Sequence, residues 1–196
     1  MWIGALCASW CAGSAGAAER ATTTEQASPE PTIALAAAPI ASGAAAIAMG
    51  DDSEGGGEQS VALGVFSRAI GQGSVAFGFN AFADADNSYA FGTDSAALGV
   101  HALAFGSGSV ALGEASLAIG RNAQALWGND VAIGDGAYNS SRGGVAIGRG
   151  ALALDGAFAT VVGAGSRSIG FAGTAIGYEA TADGTESTAI GMGALA

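Results

Sequence analysis

Lysine is missing from this chain altogether, and six arginines face seventeen acidic residues, for a formal net charge of −11. A nucleic-acid binder carries a basic stripe to meet phosphate, so that class is excluded. Cysteine is confined to Cys7 and Cys11. The rest of the chain therefore has neither a disulfide framework nor the thiols of a zinc cluster. Beyond the first twenty positions no apolar run reaches the roughly eighteen residues of a membrane helix. Proline occurs only at Pro29, Pro31 and Pro39, and histidine only at His101. The thirty-four glycines lack a three-residue period, which excludes collagen and points to many tight turns.

What the chain has instead is repetition. Glycine recurs every fourteen residues at Gly50, Gly64, Gly78, Gly92, Gly106, Gly120, Gly134 and Gly148. After one extra residue the count resumes at Gly163, Gly177 and Gly191. Alanine stands two places before each of these glycines except at Val161, between apolar or threonine residues one and three places before, as in Val61-Ala62-Leu63-Gly64. Residues two apart on a strand share a side, and the residue between them takes the other. Each such unit is a short strand closed by a glycine corner. A weaker glycine seven residues on, at Gly57, Gly71, Gly99, Gly113, Gly170 and Gly184, marks a second strand and a second corner. Trp127, Ser141 and Asp155 are among the residues that replace it.

Fourteen residues thus make one turn of an all-β parallel roll, or solenoid, with two short strands per turn. Stacked turns bury what a single turn cannot. At about 4.8 Å per turn the rod is on the order of 50 Å long. The larger apolar columns are expected to point inward and the alanines outward. On that assignment Phe77, Phe91 and Phe105 are core, Thr160, Thr174 and Thr188 are packed hydroxyls, and Ile133→Asp buries an unpaired carboxylate. The first wall is then the better buried. The second, with Arg68, Asp84, Gln124, Ser140, Arg167 and Asp183, carries the solvent-facing surface.

Three segments follow. Residues 1–17 are apolar and small and end in Ala15-Gly16-Ala17, as a truncated export signal would. Residues 18–42, rich in Ala, Thr and Pro, read as a linker or irregular first segment. Residues 43–196 are the roll, with Asp51–Glu58 as a loosely ordered acidic corner and the extra residue before Gly163 absorbed at a corner as a bulge.

No constellation for catalysis presents itself. His101 sits at a corner without a nucleophile or acid partner. Asp84, Asp86 and Asn87 supply oxygen atoms, but the aspartates do not recur in register as calcium-binding rolls require. Glycine strings such as Gly71-Gln72-Gly73 precede no helix and are corners, not phosphate cradles. The expectation is a non-enzyme with no cofactor and no metal.

The units Ser60-Val61-Ala62-Leu63-Gly64, Asn87-Ser88-Tyr89-Ala90-Phe91-Gly92 and Ser109-Val110-Ala111-Leu112-Gly113 resemble the head repeat of YadA-like trimeric autotransporter adhesins, Asn-Ser-Val-Ala-Ile-Gly-x-x-Ser. The resemblance spans residues 43–196. It implies a left-handed roll, a homotrimer, export to the bacterial cell surface or outer membrane, and binding of host matrix proteins of the collagen, fibronectin or laminin class, or of host cells. The alternative it leaves open is self-association that clumps bacterial cells. Ligand-contacting residues are not assigned by it. The only site residues it carries are the structural corner glycines named above, from Gly50 to Gly191.

Overall fold

The computed structural model describes residues 33–36, 38–154 and 156–196. The export-signal reading of residues 1–17 and both cysteines lie outside the described residues. The paired turns begin at Ile33, inside the stretch expected as a linker: Ile33–Leu35 pairs in parallel with Ile47–Met49, and Ile40–Ala41 with Glu54–Gly55.

Two parallel sheets run the length of the roll. Among the described residues one has twelve strands of three residues, from Ile33–Leu35 through Val61–Leu63 to Thr188–Ile190. The other has eleven strands of two, from Ile40–Ala41 through Arg68–Ala69 to Thr181–Ala182. Register is one turn per strand, so Leu63 lies beside Phe77 and Phe77 beside Phe91. Asp51–Glu58 is not a loose corner: Glu54–Gly55 is a strand paired with Arg68–Ala69.

The corners explain the period. In Gly64–Ser67 the Ser67 N–H donates to the Gly64 carbonyl at 3.1 Å, Phe66 takes a φ of 58°, and Gly64 itself a φ of 135°. A Cβ on Gly64 would sit 2.3 Å from the Gly78 carbonyl oxygen one turn on. Both the backbone angle and the approach of the next turn demand glycine. The Ser67 hydroxyl also donates to the Gly64 carbonyl, at 2.7 Å.

The inside of the roll overturns the assignment of its walls. Ala62, Ala76, Ala90, Ala104, Ala118 and Ala132 of the twelve-stranded sheet are fully buried, as are Ala69, Ala83, Ala97, Ala111 and Ala125 of the other. Alanine faces inward, with Ser60, Ser67, Ser74 and their equivalents beside it. The large columns face out. Phe77 and Phe105 are each 52% exposed, Ile133 and Thr160 are half-buried, and Thr188 is exposed. The phenylalanines and threonines are therefore not core, and Ile133→Asp does not bury a charge within a single roll. The cause is volume. Cα atoms of facing strands approach within 8 Å, closer than the ~10 Å of ordinary sheet packing. Walls this close are filled mainly by alanine, serine and glycine, with Val161, Asp130 and Asn139 the largest side chains fully buried between them.

The extra residue lies where it was expected. Leu152–Ala153 pairs with Arg167–Ser168 and Val145–Ile147 with Thr160–Val162, both offset by fifteen. The addition falls between Ala153 and Thr160, at the second corner.

Candidate functional site

With the interior filled by small side chains, function is left to the outer faces and corners. The two outer faces differ in chemistry. On the twelve-stranded sheet both outward columns are apolar for most of the length: Val61 and Leu63, Val75 and Phe77, Leu103 and Phe105, Leu117 and Ile119, Val131 and Ile133, Val145 and Ile147. All are only half-buried or exposed. Phe77, Phe91 and Phe105 stack along this face with ring centroids 6.4 and 5.8 Å apart. In the last turns the first column changes to Thr160, Thr174 and Thr188.

The eleven-stranded sheet presents a mixed face. Arg68 Nε donates to Asp84 Oδ1 at 3.1 Å, with a second, tight contact from Nη2 to Oδ2, and the guanidinium lies 5.5 Å from the Phe82 ring. Arg167 pairs with Asp183 at 2.9 Å in the same two columns, seven turns further along. Each pair steps diagonally from one outward column to the other on the next turn. The Asp84 interaction holds the Arg68 guanidinium above its ordinary pKa. At the first corner Arg121 pairs with Asp135 at 2.7 Å, which lowers the Asp135 carboxyl below its ordinary range. Such exposed pairs are worth little in stability. They leave charged, solvent-exposed groups on the face of the eleven-stranded sheet and at the first corner.

The corner residues singled out in the sequence are placed as follows. His101 is exposed, in the left-handed conformation at φ 59°, and its N–H donates to the Asp86 carbonyl. Asp84 is engaged by Arg68, and Asp86 Oδ1 accepts the Gln72 N–H at 2.9 Å. The two carboxylates thus serve different neighbours and do not converge. Among the described residues no group of three or more His, Cys, Asp or Glu could hold a metal ion. Each corner glycine from Gly50 to Gly191 takes a φ between 122° and 142°.

One level of the roll escaped the sequence reading. Trp127 occupies a corner column that in most turns holds glycine, and Arg142 Cζ lies 4.7 Å from its ring centroid. Beneath them Asp130 and Asn139, both fully buried, replace the usual inward serine and alanine. Asp130 Oδ2 accepts the Trp127 N–H at 2.9 Å, and Oδ1 accepts those of Gly143 at 2.9 Å and Gly144 at 3.3 Å. Burial raises the Asp130 carboxyl above its ordinary range even though these backbone donors pull it down. Asn139 Oδ1 accepts the N–H and hydroxyl of Ser141, and its amide donates to the Val131 carbonyl. The signal was present in the sequence, as several simultaneous departures from column identity between residues 127 and 142.

No curated protein matches the chain at a significant level. The family model for the YadA head domain repeat matches at residues 41–67, 56–81, 69–95, 83–109, 111–137 and 168–194. These matches follow the stacked turns and cover well over half of the chain. The chain belongs to the YadA head domain repeat family, an adhesin type.

Proposed function

We propose that this roll is the head of a homotrimeric adhesin on a bacterial surface, and that it binds host matrix proteins or host cells without catalysis. The observation that carries the trimer is the outer face of the twelve-stranded sheet. A soluble rod rarely leaves two continuous apolar columns in water. Covering the remaining half of a valine, leucine or phenylalanine contributes about 1 kcal/mol. About a dozen such contacts offset an association cost of roughly 4–15 kcal/mol. Three copies turned about a lengthwise axis would bury this face and leave the mixed face, with its ion pairs and corner aromatics, pointing outward. Phe66 and Phe79 meet edge to face at 5.8 Å on one corner, and Phe158 and Phe171 at 6.1 Å on another. These exposed rings on a rigid frame are the kind of anchor that protein recognition uses.

Light scattering on the purified chain tests the assembly, with a mass of three chains expected and a stable monomer refuting it. Binding to immobilised collagen, fibronectin and laminin tests the ligand class. Clumping of displaying cells in the absence of any host protein, without binding to that panel, would favour self-association instead.

A further inference from the structure

The level around Trp127 invests buried polar side chains in holding two exposed ones. Most other turns carry glycine or another small residue in this corner column and fill their interior mainly with alanine and serine. Here one buried carboxylate, Asp130, fixes the backbone of Trp127 and of Gly143 and Gly144, directly after Arg142. Asn139 and Ser141 lock the strand end between them. The backbone that carries the indole and the guanidinium is thereby fixed on adjacent turns, and the two groups lie against each other with Arg142 Cζ 4.7 Å from the ring centroid. Preorganisation of this kind serves recognition, because the side chains need not be ordered again when a ligand arrives.

Above the clamp is an open cavity of about 600 Å³ lined by Leu126, Trp127, Tyr138, Ser140, Arg142 and the Gly156-Ala157 corner. Arg68, Arg121 and Arg167 each have a carboxylate partner, whereas among the described residues Arg142 and Arg149 have none, and of these two only Arg142 lines the cavity. The Arg142 guanidinium lies over the Trp127 ring, which orients its plane while leaving its N–H groups to donate elsewhere. Trp127 remains 46% exposed, so the indole still offers apolar surface to a ligand. Tyr138 and Ser140, both bearing hydroxyls, also line the cavity. The chemical complement is a ring with an apolar C–H face, several hydroxyls and one carboxylate.

We propose that this corner is a binding site for an acidic sugar residue, its carboxylate on Arg142, its C–H face against Trp127 and its hydroxyls on Tyr138 and Ser140. An extended acidic peptide fits less well, because the strand N–H and C=O groups at this level are already committed to the neighbouring turns. The inference rests on the trimer reading in one respect: burial of the twelve-stranded face leaves this corner accessible. Two sources supply the ligand chemistry, a sialic acid at a glycan end or a uronic acid within a polysaccharide.

Isothermal titration of the full chain with sialyllactose, a hyaluronan tetrasaccharide, lactose and a tetraglutamate peptide tests it. At least one of the two acidic saccharides should bind, and which one identifies the source. Lactose and tetraglutamate should bind at least about tenfold more weakly. Arg142→Gln, and Trp127→Gly, which restores the usual residue of that column, should each weaken binding by about tenfold or more. Both should keep the β circular dichroism signal of the parent. Failure of both acidic saccharides to bind, equal binding of lactose or tetraglutamate, or full binding by either variant would overturn the assignment. Light scattering on the same samples reads the trimer separately, so a monomer that binds the saccharide refutes only the assembly, and a trimer that does not refutes only the site.

Discussion

Ala118 and Ile119 are neighbours in sequence on opposite faces of one wall, and exchanging each of them should break different things. Ala118 is fully buried between Ala104 and Ala132, which lie beside it in register on the adjoining turns. Replacing it with leucine adds three carbons to an interior whose largest fully buried apolar side chain is Val161. Overpacking costs about 1–3 kcal/mol in ordinary cores, and two walls this close leave the substitution near the upper end. A loss of about 3 kcal/mol lowers the melting temperature by roughly 6–12 °C for a chain of this size. Hydrogen exchange should place the opening at the central turns, since contacts in a stacked array are with nearest neighbours. Ile119 is half-buried on the outer apolar face. Ile119→Asp removes about 1 kcal/mol of burial from a single roll, but in a trimer it sets three carboxylates against an apolar seam at a cost of several kcal/mol. Circular dichroism should therefore show Ala118→Leu destabilised as a roll. Ile119→Asp should keep the roll while its mass by light scattering falls to one chain. Measurements at a single protein concentration keep the two comparable. A tolerated Ala118→Leu beside an unfolded Ile119→Asp would return the large columns to the interior and refute this account.

Other exchanges follow from the same geometry. Gly64→Ala places a Cβ against the Gly78 carbonyl at a φ of 135°, and should cost about 1–3 kcal/mol in urea unfolding. Gly136→Asn, at a φ of 65° with nothing within 4 Å of its Cβ, should stay within about 0.5 kcal/mol of the parent. For Asp130 the folded-state pKa is raised, so the folded protein binds the proton more tightly than the unfolded one. Its contribution disfavours folding above the folded pKa, and this is relieved as pH falls through the carboxylate range. The melting temperature of the parent minus that of Asp130→Asn should accordingly rise as pH is lowered from neutral. A difference independent of pH, or one of opposite slope, would contradict the assigned direction.

The period, the two strands per turn, the parallel register and the place of the extra residue were all legible, because glycine at an unusual φ marks every first corner from Gly50 to Gly191, and the close approach of the next turn favours glycine at most second corners. Which side of each strand faces inward was not legible from alternation. Val61 and Leu63 share one side and Ala62 the other, but hydropathy alone assigns the larger pair to the core. What decides the matter is the width of a fourteen-residue turn, a quantity set by the corners and not by the strands. The ion pairs of the mixed face were half legible. Arg68 with Asp84, and Arg167 with Asp183, were visible as polar interruptions of two columns, and their common sixteen-residue spacing already describes a diagonal step to the next turn. The Trp127 corner was missed for a different reason. Its residues are unremarkable one by one, and only their departure from the columns at a single level sets them apart.

The inverted packing also changes what the repeat encodes. Were the large apolar residues inside, the fourteen-residue period would specify a self-sufficient monomer, and the outer surface could be of any composition. With alanine and serine inside, the interior is nearly invariant from turn to turn and carries little information beyond closure. The variable apolar columns instead lie where a second and third copy would meet them. Their sequence of Val61 and Leu63, Val75 and Phe77, Tyr89 and Phe91 then sets the register and spacing of an assembly, much as core residues set those of a domain. On this view the shift to Thr160, Thr174 and Thr188 on the same face marks a part of the seam with weaker apolar contact. Replacing these three threonines with valine should tighten the trimer against dilution without moving the stability of the single roll. If the trimer instead dissociates at the same concentration as the parent, the threonines lie outside the subunit contact, and the seam ends before Thr160.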